Sequence, residues 1–168
     1  GNTIKGDNAD ASNEAKPGLV FKKDDTVTEH PGTKLEIVNG TIKGGDGSSA
    51  HPDGAAGVGE AAGSKPSQAG ITVGADAVIK GGNGADGENG SNGGNGGCGI
   101  EETIGTTVNG GSVSGGNGGK GSDSATGTPG NGGNGGSGIK TDKDVVINGG
   151  TITGGNAGNG GNATGENN

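Results

Sequence analysis

Apolar residues along this chain come in bursts of two or three, bounded by Gly, Asn or Asp, and nowhere with the three-and-four spacing of an amphipathic helix. The bursts recur. Thr3-Ile4-Lys5-Gly6, Thr41-Ile42-Lys43-Gly44, Val78-Ile79-Lys80-Gly81, Ser112-Val113-Ser114-Gly115 and Thr151-Ile152-Thr153-Gly154 share one pattern, at spacings of 38, 37, 34 and 39 residues. A second motif, Gly before an aliphatic residue, precedes the last four, at Gly18-Leu19, Gly70-Ile71, Gly99-Ile100 and Gly138-Ile139. A period of this length marks a repeat architecture, in which one unit buries its apolar face only against the next.

The clearest unit, 138–155, holds three β-branched segments separated by turn residues. Each is too short to stand alone as sheet, but stacked on its equivalent it forms a parallel ladder with a thin apolar interior. The predicted fold is therefore all-β: a parallel β-solenoid of about four units of ~37 residues, with no helix. One repeat domain spans 1–168, divided into a partial unit 1–17 and units 18–69, 70–98, 99–137 and 138–168. Ile139, Ile147 and Ile152 should point inward, above Ile100, Val108 and Val113, with Ile42 and Ile79 continuing the closing column. Asn-Gly follows an aliphatic residue at Asn39, Asn109 and Asn148, which predicts a stacked amide ladder there.

Composition adds a second element. Of the 168 residues 47 are Gly, and from 81 to 99 Gly occupies every third position. The same phase runs from 115 to 136, interrupted only by Ser124. A strict period of three is the register of an extended threefold helix, so these tracts are expected to pack beside the solenoid as polyglycine II arms bonded through main-chain N–H and C=O groups. An ordinary globular core is excluded: Ile, Leu, Val and Phe together number 23, and Phe21 is the single aromatic residue.

The apolar units resemble the right-handed β-helix repeats of large secreted bacterial surface and adhesin proteins, over most of 18–155. The tracts at 81–99 and 115–136 are similar to the polyglycine II bundles of springtail antifreeze proteins and of some phage tail-fibre adhesins. These resemblances imply an extracellular or cell-surface location and a structural, adhesive or ice-binding role. They supply no catalytic residue.

Charge and chemistry narrow the choice. The net charge is −8, the 11 cations are scattered Lys, and nothing tracks or stacks on a nucleic acid. No apolar run approaches the ~18 residues that span a bilayer, so membrane insertion is not expected. His30 and His51 sit in His-Pro turns without a second ligand at metal spacing, and no metal or cofactor is expected. Cys98 occupies a small-residue slot filled by Ser137, Ala69 and Pro17 in the other units. Glu101 and Glu102 stack below Asp142 and Asp144 as an acidic strip, expected to be solvated surface charge, the alternative being a divalent-cation site. Gly81-Gly82-Asn83-Gly84-Ala85-Asp86 opens like a calcium-binding nonapeptide, but Glu88 stands where an apolar residue is needed. Glycosylation sequons at Asn39, Asn89 and Asn162 are no more than chance placement provides. Without Arg and with one aromatic, the chain lacks the equipment of β-helix polysaccharide lyases, and enzyme activity is not expected.

The expected function is structural: a subunit or stalk segment of an extracellular filament or surface layer. The chain opens on a closing strand and stops after a Gly-rich tail without a polar capping repeat, so head-to-tail self-association is expected. The alternative is an adhesin displaying loops such as 122–129 toward a cell-surface glycan or protein. Ice binding comes third, because Lys interrupts the outward Thr positions of the closing motif at Lys5, Lys43 and Lys80.

Overall fold

The computed structural model describes residues 2–21, 35–60, 70–102 and 105–164. Along them run β1 (Thr3–Lys5), β2 (Leu19–Phe21), β3 (Leu35–Lys43), β4 (Val58–Glu60), β5 (Ile71–Lys80) and β6 (Ile100–Glu101). They continue as β7 (Thr106–Val108), β8 (Ser112–Ser114), β9 (Ile139–Lys140), β10 (Val145–Ile147) and β11 (Thr151–Thr153). Every strand pairing is parallel, and no helix occurs among the described residues. One sheet stacks β1 on β3 on β5, then β7 and β8 on the two halves of β5, then β10 on β7 and β11 on β8; the second stacks β2, β4, β6 and β9. This is a parallel β-solenoid. The four strands of the second sheet bound three complete turns, with a partial turn beyond each end, where the spacing had pointed to about four.

The closing column Thr3–Thr41–Val78–Ser112–Thr151 runs in the register that the repeat implies. The opening column differs. It is Leu19–Val58–Ile100–Ile139, whereas Ile71 stacks between Leu35 and Thr106. A Gly before an aliphatic residue begins both kinds of strand, so the dipeptide alone cannot tell Gly57-Val58 from Gly70-Ile71.

Inward residues form one narrow core. Val58, Ile71, Val73, Ala77, Ile79, Ile100, Val108 and Val113 are sealed from solvent, and Ile42 nearly so. Ile139 and Ile152 are partly buried against this cluster. Ile147 corrects an expectation: it stacks in register on Val108 but is 60% exposed. A coil sheds water from both sides only when it lies between two others, and among the described residues β10 has a neighbour on one side alone.

Between the closing strand and the next opening strand the chain leaves the solenoid and returns, over 44–57, 81–99 and 115–138. Here the period of three becomes a hydrogen-bond period. Gly115 N–H donates forward to Thr153 O of the next turn (3.0 Å), Gly116 N–H sideways to Gly97 O on a returning arm (2.8 Å), and Asn117 N–H back to the Asn83 carboxamide (2.9 Å). The next triplet repeats this, with Gly118 to Asn156 O (2.8 Å), Gly119 to Gly94 O (2.9 Å) and Lys120 to Asp86 Oδ1 (2.8 Å). The first two positions of the 115–117 triplet have no room for a side chain. A Cβ on Gly115 would overlap the Gly136 carbonyl, and one on Gly116 the Gly82 carbonyl. The third position faces solvent, and there Asn, Asp and Lys appear.

Candidate functional site

The chain does build an amide ladder, in the arms. Asn8 Oδ1 accepts from Asp46 N–H (3.0 Å), Asp46 Oδ1 from Asn83 N–H (2.8 Å), Asn83 Oδ1 from Asn117 N–H (2.9 Å) and Asn117 Oδ1 from Asn156 N–H (2.9 Å). A second column runs Asp53–Asn95–Asn134, and Asn92–Asn131 and Asp123–Asn162 add shorter ones. Asp serves wherever only an acceptor is needed. At Asp46 burial opposes the charge, but the Lys43 ammonium (2.8 Å), the Asn83 N–H and the field of Lys5 outweigh it and hold the carboxyl below its ordinary range.

The three Asn singled out by their Asn-Gly context behave differently. Asn148 Nδ2 donates to Asn109 Oδ1 (2.8 Å), a ladder of two rungs. Asn39 lies opposite Asp76 instead. Ile37, not Val38, occupies the inward column of Val73 and Val108, so Asn39 sits one residue out of step with Asn109. Gly40, Gly111 and Gly150, at φ of 88°, 73° and 89°, make the corner into the closing strand, a left-handed conformation that glycine adopts without strain.

Of the remaining residues named from the sequence, those described lie in turns or in the packed interior. Asn89 (φ 52°) and Gly90 (φ 81°) form the tip of the 81–99 excursion, with Ser91 N–H bonded to Glu88 O (3.0 Å). Asn-Gly is a strong turn signal of this kind, and it places one sequon at an exposed tip. His51 belongs to a turn in which Ser48 N–H bonds its carbonyl (2.9 Å), while His30 lies outside the described residues. Cys98 is buried, and desolvation together with the nearby Glu101 charge pushes its thiol pKa up despite a backbone hydrogen bond from Ser137. Burial and the Glu101 charge both act against thiolate formation.

One cleft gathers charged groups. The outward column of the second sheet reads Val20, Gly59, Glu101, Lys140. Gly59 is buried beneath Pro17, so that a Cβ there would lie 3.1 Å from Pro17 Cγ and 3.8 Å from Ala56 Cβ, and both residues line a cleft of about 610 Å³. Ala15, Pro17, Ala55 and Ala56 line its apolar part; Glu101, Glu102, Lys140 and Asp142 line the rest. Lys140 Nζ donates to Glu101 Oε1 at 2.6 Å, and this bond raises the lysine pKa. Glu102 is only 4% exposed, its carboxylate held by Gly105 N–H (2.8 Å) and Thr106 Oγ (3.0 Å). Three of the four residues of the acidic strip, Glu101, Glu102 and Asp142, line the cleft, and Asp144 does not. Among the described residues no three His, Cys, Asp or Glu side chains are placed to hold a metal ion.

Comparison of the chain with protein-family models, with curated proteins and with solved structures gave no match.

Proposed function

We propose that this chain is a structural repeat protein, a subunit or stalk segment of an extracellular filament or cell-surface layer whose solenoids stack end to end. The observation that carries this reading is the one-way complementarity of successive turns. Each turn sends its first-position N–H groups forward and offers its third-position side-chain acceptors to the same neighbour, so the face leading each turn matches the face trailing any other. Such a surface is heterologous, and repeated contacts through it make an open fibre instead of a closed ring. On this reading the arms are a polyglycine II bundle that stiffens the fibre beside its β core. The extracellular setting rests on the resemblance to surface repeat proteins.

The test is electron microscopy with sedimentation over a range of concentrations. Filaments of uniform width that lengthen with concentration are expected, and aligned samples should show an axial reflection near ~4.8 Å from strands stacked along the fibre. Particles that stay monomeric at the highest concentration refute the proposal.

A further inference from the structure

We propose that the uncovered face of the arms is a self-modification site. There Asn131, Asn134 and Asn159 are deamidated by water, while the same dipeptide inside the bundle is protected. The proposal is independent of filament assembly.

Seven Asn-Gly dipeptides lie along the arms: four, at Asn83, Asn92, Asn95 and Asn117, have a later turn stacked on them, and three, at Asn131, Asn134 and Asn159, do not. All seven asparagines are exposed to solvent, so access to water does not distinguish them. Bonding does. In the covered four, the glycine N–H donates to the next turn: Gly84 to Asn117 O (2.8 Å), Gly93 to Asn131 O (2.9 Å), Gly96 to Asn134 O (2.8 Å) and Gly118 to Asn156 O (2.8 Å). Their asparagine Oδ1 atoms each accept a main-chain N–H from the same neighbour at 2.8–3.0 Å. Among the described residues, none accepts from the N–H of Gly132, Gly135 or Gly160, and none donates to the carboxamide oxygen of Asn131, Asn134 or Asn159.

These two groups are the ones that react. In base the glycine amide nitrogen gives up its proton and attacks the asparagine Cγ. The N–Cγ bond forms, the Cγ–Nδ2 bond breaks, and ammonia leaves. Water then opens the succinimide at either carbonyl, leaving aspartate or isoaspartate with no change of oxidation state. A hydrogen bond at the glycine N–H must break before that proton can leave. A bond at Oδ1 ties the carboxamide to the next turn and holds Cγ away from the attacking nitrogen.

The uncovered sites are also graded. The N–H groups of Asn131 and Asn134 are still held by the Asn92 and Asn95 carboxamides of the preceding turn (2.8 and 3.0 Å). Asn159 lacks that tie, because Lys120 stands below it in the column and its side chain has no oxygen to accept the N–H. Asn159 therefore reacts first, Asn131 and Asn134 next, and the covered four last. Isoaspartate routes the main chain through an extra carbon, so a converted arm loses its triplet phase from that residue onward.

The full chain is held in warm, mildly alkaline buffer, sampled over weeks and cleaved after lysine. Mass spectrometry with electron-transfer fragmentation then reads aspartate and isoaspartate at each site. In urea the seven sites should react at closely similar rates. In the folded chain Asn131, Asn134 and Asn159 should react at least ~10-fold faster than the covered four. Asn156→Pro removes the N–H that holds Asn117 Oδ1 while keeping the extended threefold conformation, so it should speed Asn117 severalfold and leave Asn83 unchanged. Equal rates at all seven folded sites, or no conversion at the uncovered three while the chain in urea converts, would overturn the assignment. So would an Asn156→Pro chain in which Asn117 reacts as it does in the parent.

Discussion

Replacing Gly116 by alanine puts a Cβ 2.5 Å from the Gly82 carbonyl carbon and 3.1 Å from the Asn83 nitrogen, with the Gly82 oxygen nearer still. All three atoms are main chain, so no rotamer change relieves the overlap. The arm must move out, because an ordinary Cβ contact is 3.4–4 Å. Moving it strains the Gly116 bond to Gly97 (2.8 Å), the Gly136 bond to Gly116 (2.8 Å) and the Asn117 bond to Asn83 (2.9 Å). At about 1 kcal/mol net each, two or three lost bonds cost about 2–3 kcal/mol. Alanine restricts the unfolded chain and recovers about 0.4–1 kcal/mol. The expected loss is therefore about 2 kcal/mol. In urea, with a slope of about 2 kcal/mol per molar, the unfolding midpoint should fall by about 1 M. Gly160→Ala is the control, since its Cβ would meet nothing nearer than the Gly130 oxygen at 3.8 Å. That variant should match the parent or gain up to about 1 kcal/mol. Flexible tethers would respond to both substitutions alike, with a small gain. A Gly116→Ala midpoint within about 0.2 M of the parent would therefore refute the ordered-arm account.

Three further outcomes follow from the same contacts. Asn117→Asp keeps the acceptor for Asn156 N–H and should melt like the parent at neutral pH, whereas Asn117→Ala should lose about 1 kcal/mol; equal losses would deny the ladder. Because the Asp46 carboxyl is held below its ordinary value of 3.8, its stabilisation is complete above that value and disappears as pH falls through the lower folded value. Thermal melts from about pH 6 to about pH 2 should therefore show a smaller acid loss in Asp46→Asn than in the parent. Cys98, its pKa raised mainly by burial, should react with iodoacetamide at about pH 8 at least ~10-fold more slowly in the folded chain than in urea; equal rates would contradict its burial.

The solenoid could be read from the closing motif because its residues do one job in every turn: Ile42, Ile79, Val113 and Ile152 occupy one column at intervals the chain displays openly. The arms showed themselves through glycine phase for a similar reason, steric exclusion at fixed positions. What escaped was register within the turn. Asn39 and Asn109 share a dipeptide context but not a height, since Ile37 and not Val38 is the buried partner of Val73. The long amide columns escaped because Asp46 and Asn83 are different residue types performing one acceptor's work. The cleft was out of reach altogether. Its walls come from successive turns, so that Pro17 and Gly59, 42 positions apart in sequence, are adjacent only after stacking.

The period of three has a physical cause. A main chain in a stacked pair of arms has three kinds of neighbour: the next turn, a returning arm and the preceding turn's side chains. Its successive N–H groups are directed to each in rotation, so a residue's place in the triplet fixes what it can be. First and second positions press on backbone and must be small, whereas the third faces water and needs only an oxygen acceptor to serve the next turn. Ser124 bears this out, because it interrupts the glycine phase without interrupting the bonding: its N–H donates forward to Asn162 O at 3.0 Å, as a glycine in that phase does. Arms can then grow by whole triplets without disturbing their neighbours. On the outgoing arms, forward donors number two after residue 44 (Gly44, Gly47), three after 81 (Gly81, Gly84, Gly87) and four after 115 (Gly115, Gly118, Gly121, Ser124), and the returning arms of the first two excursions add Gly54 and Gly57, and Gly93, Gly96 and Gly99. Unit length is thus free to vary while phase is conserved, which is why the repeat shows in its β-strands and hides in the overall spacing.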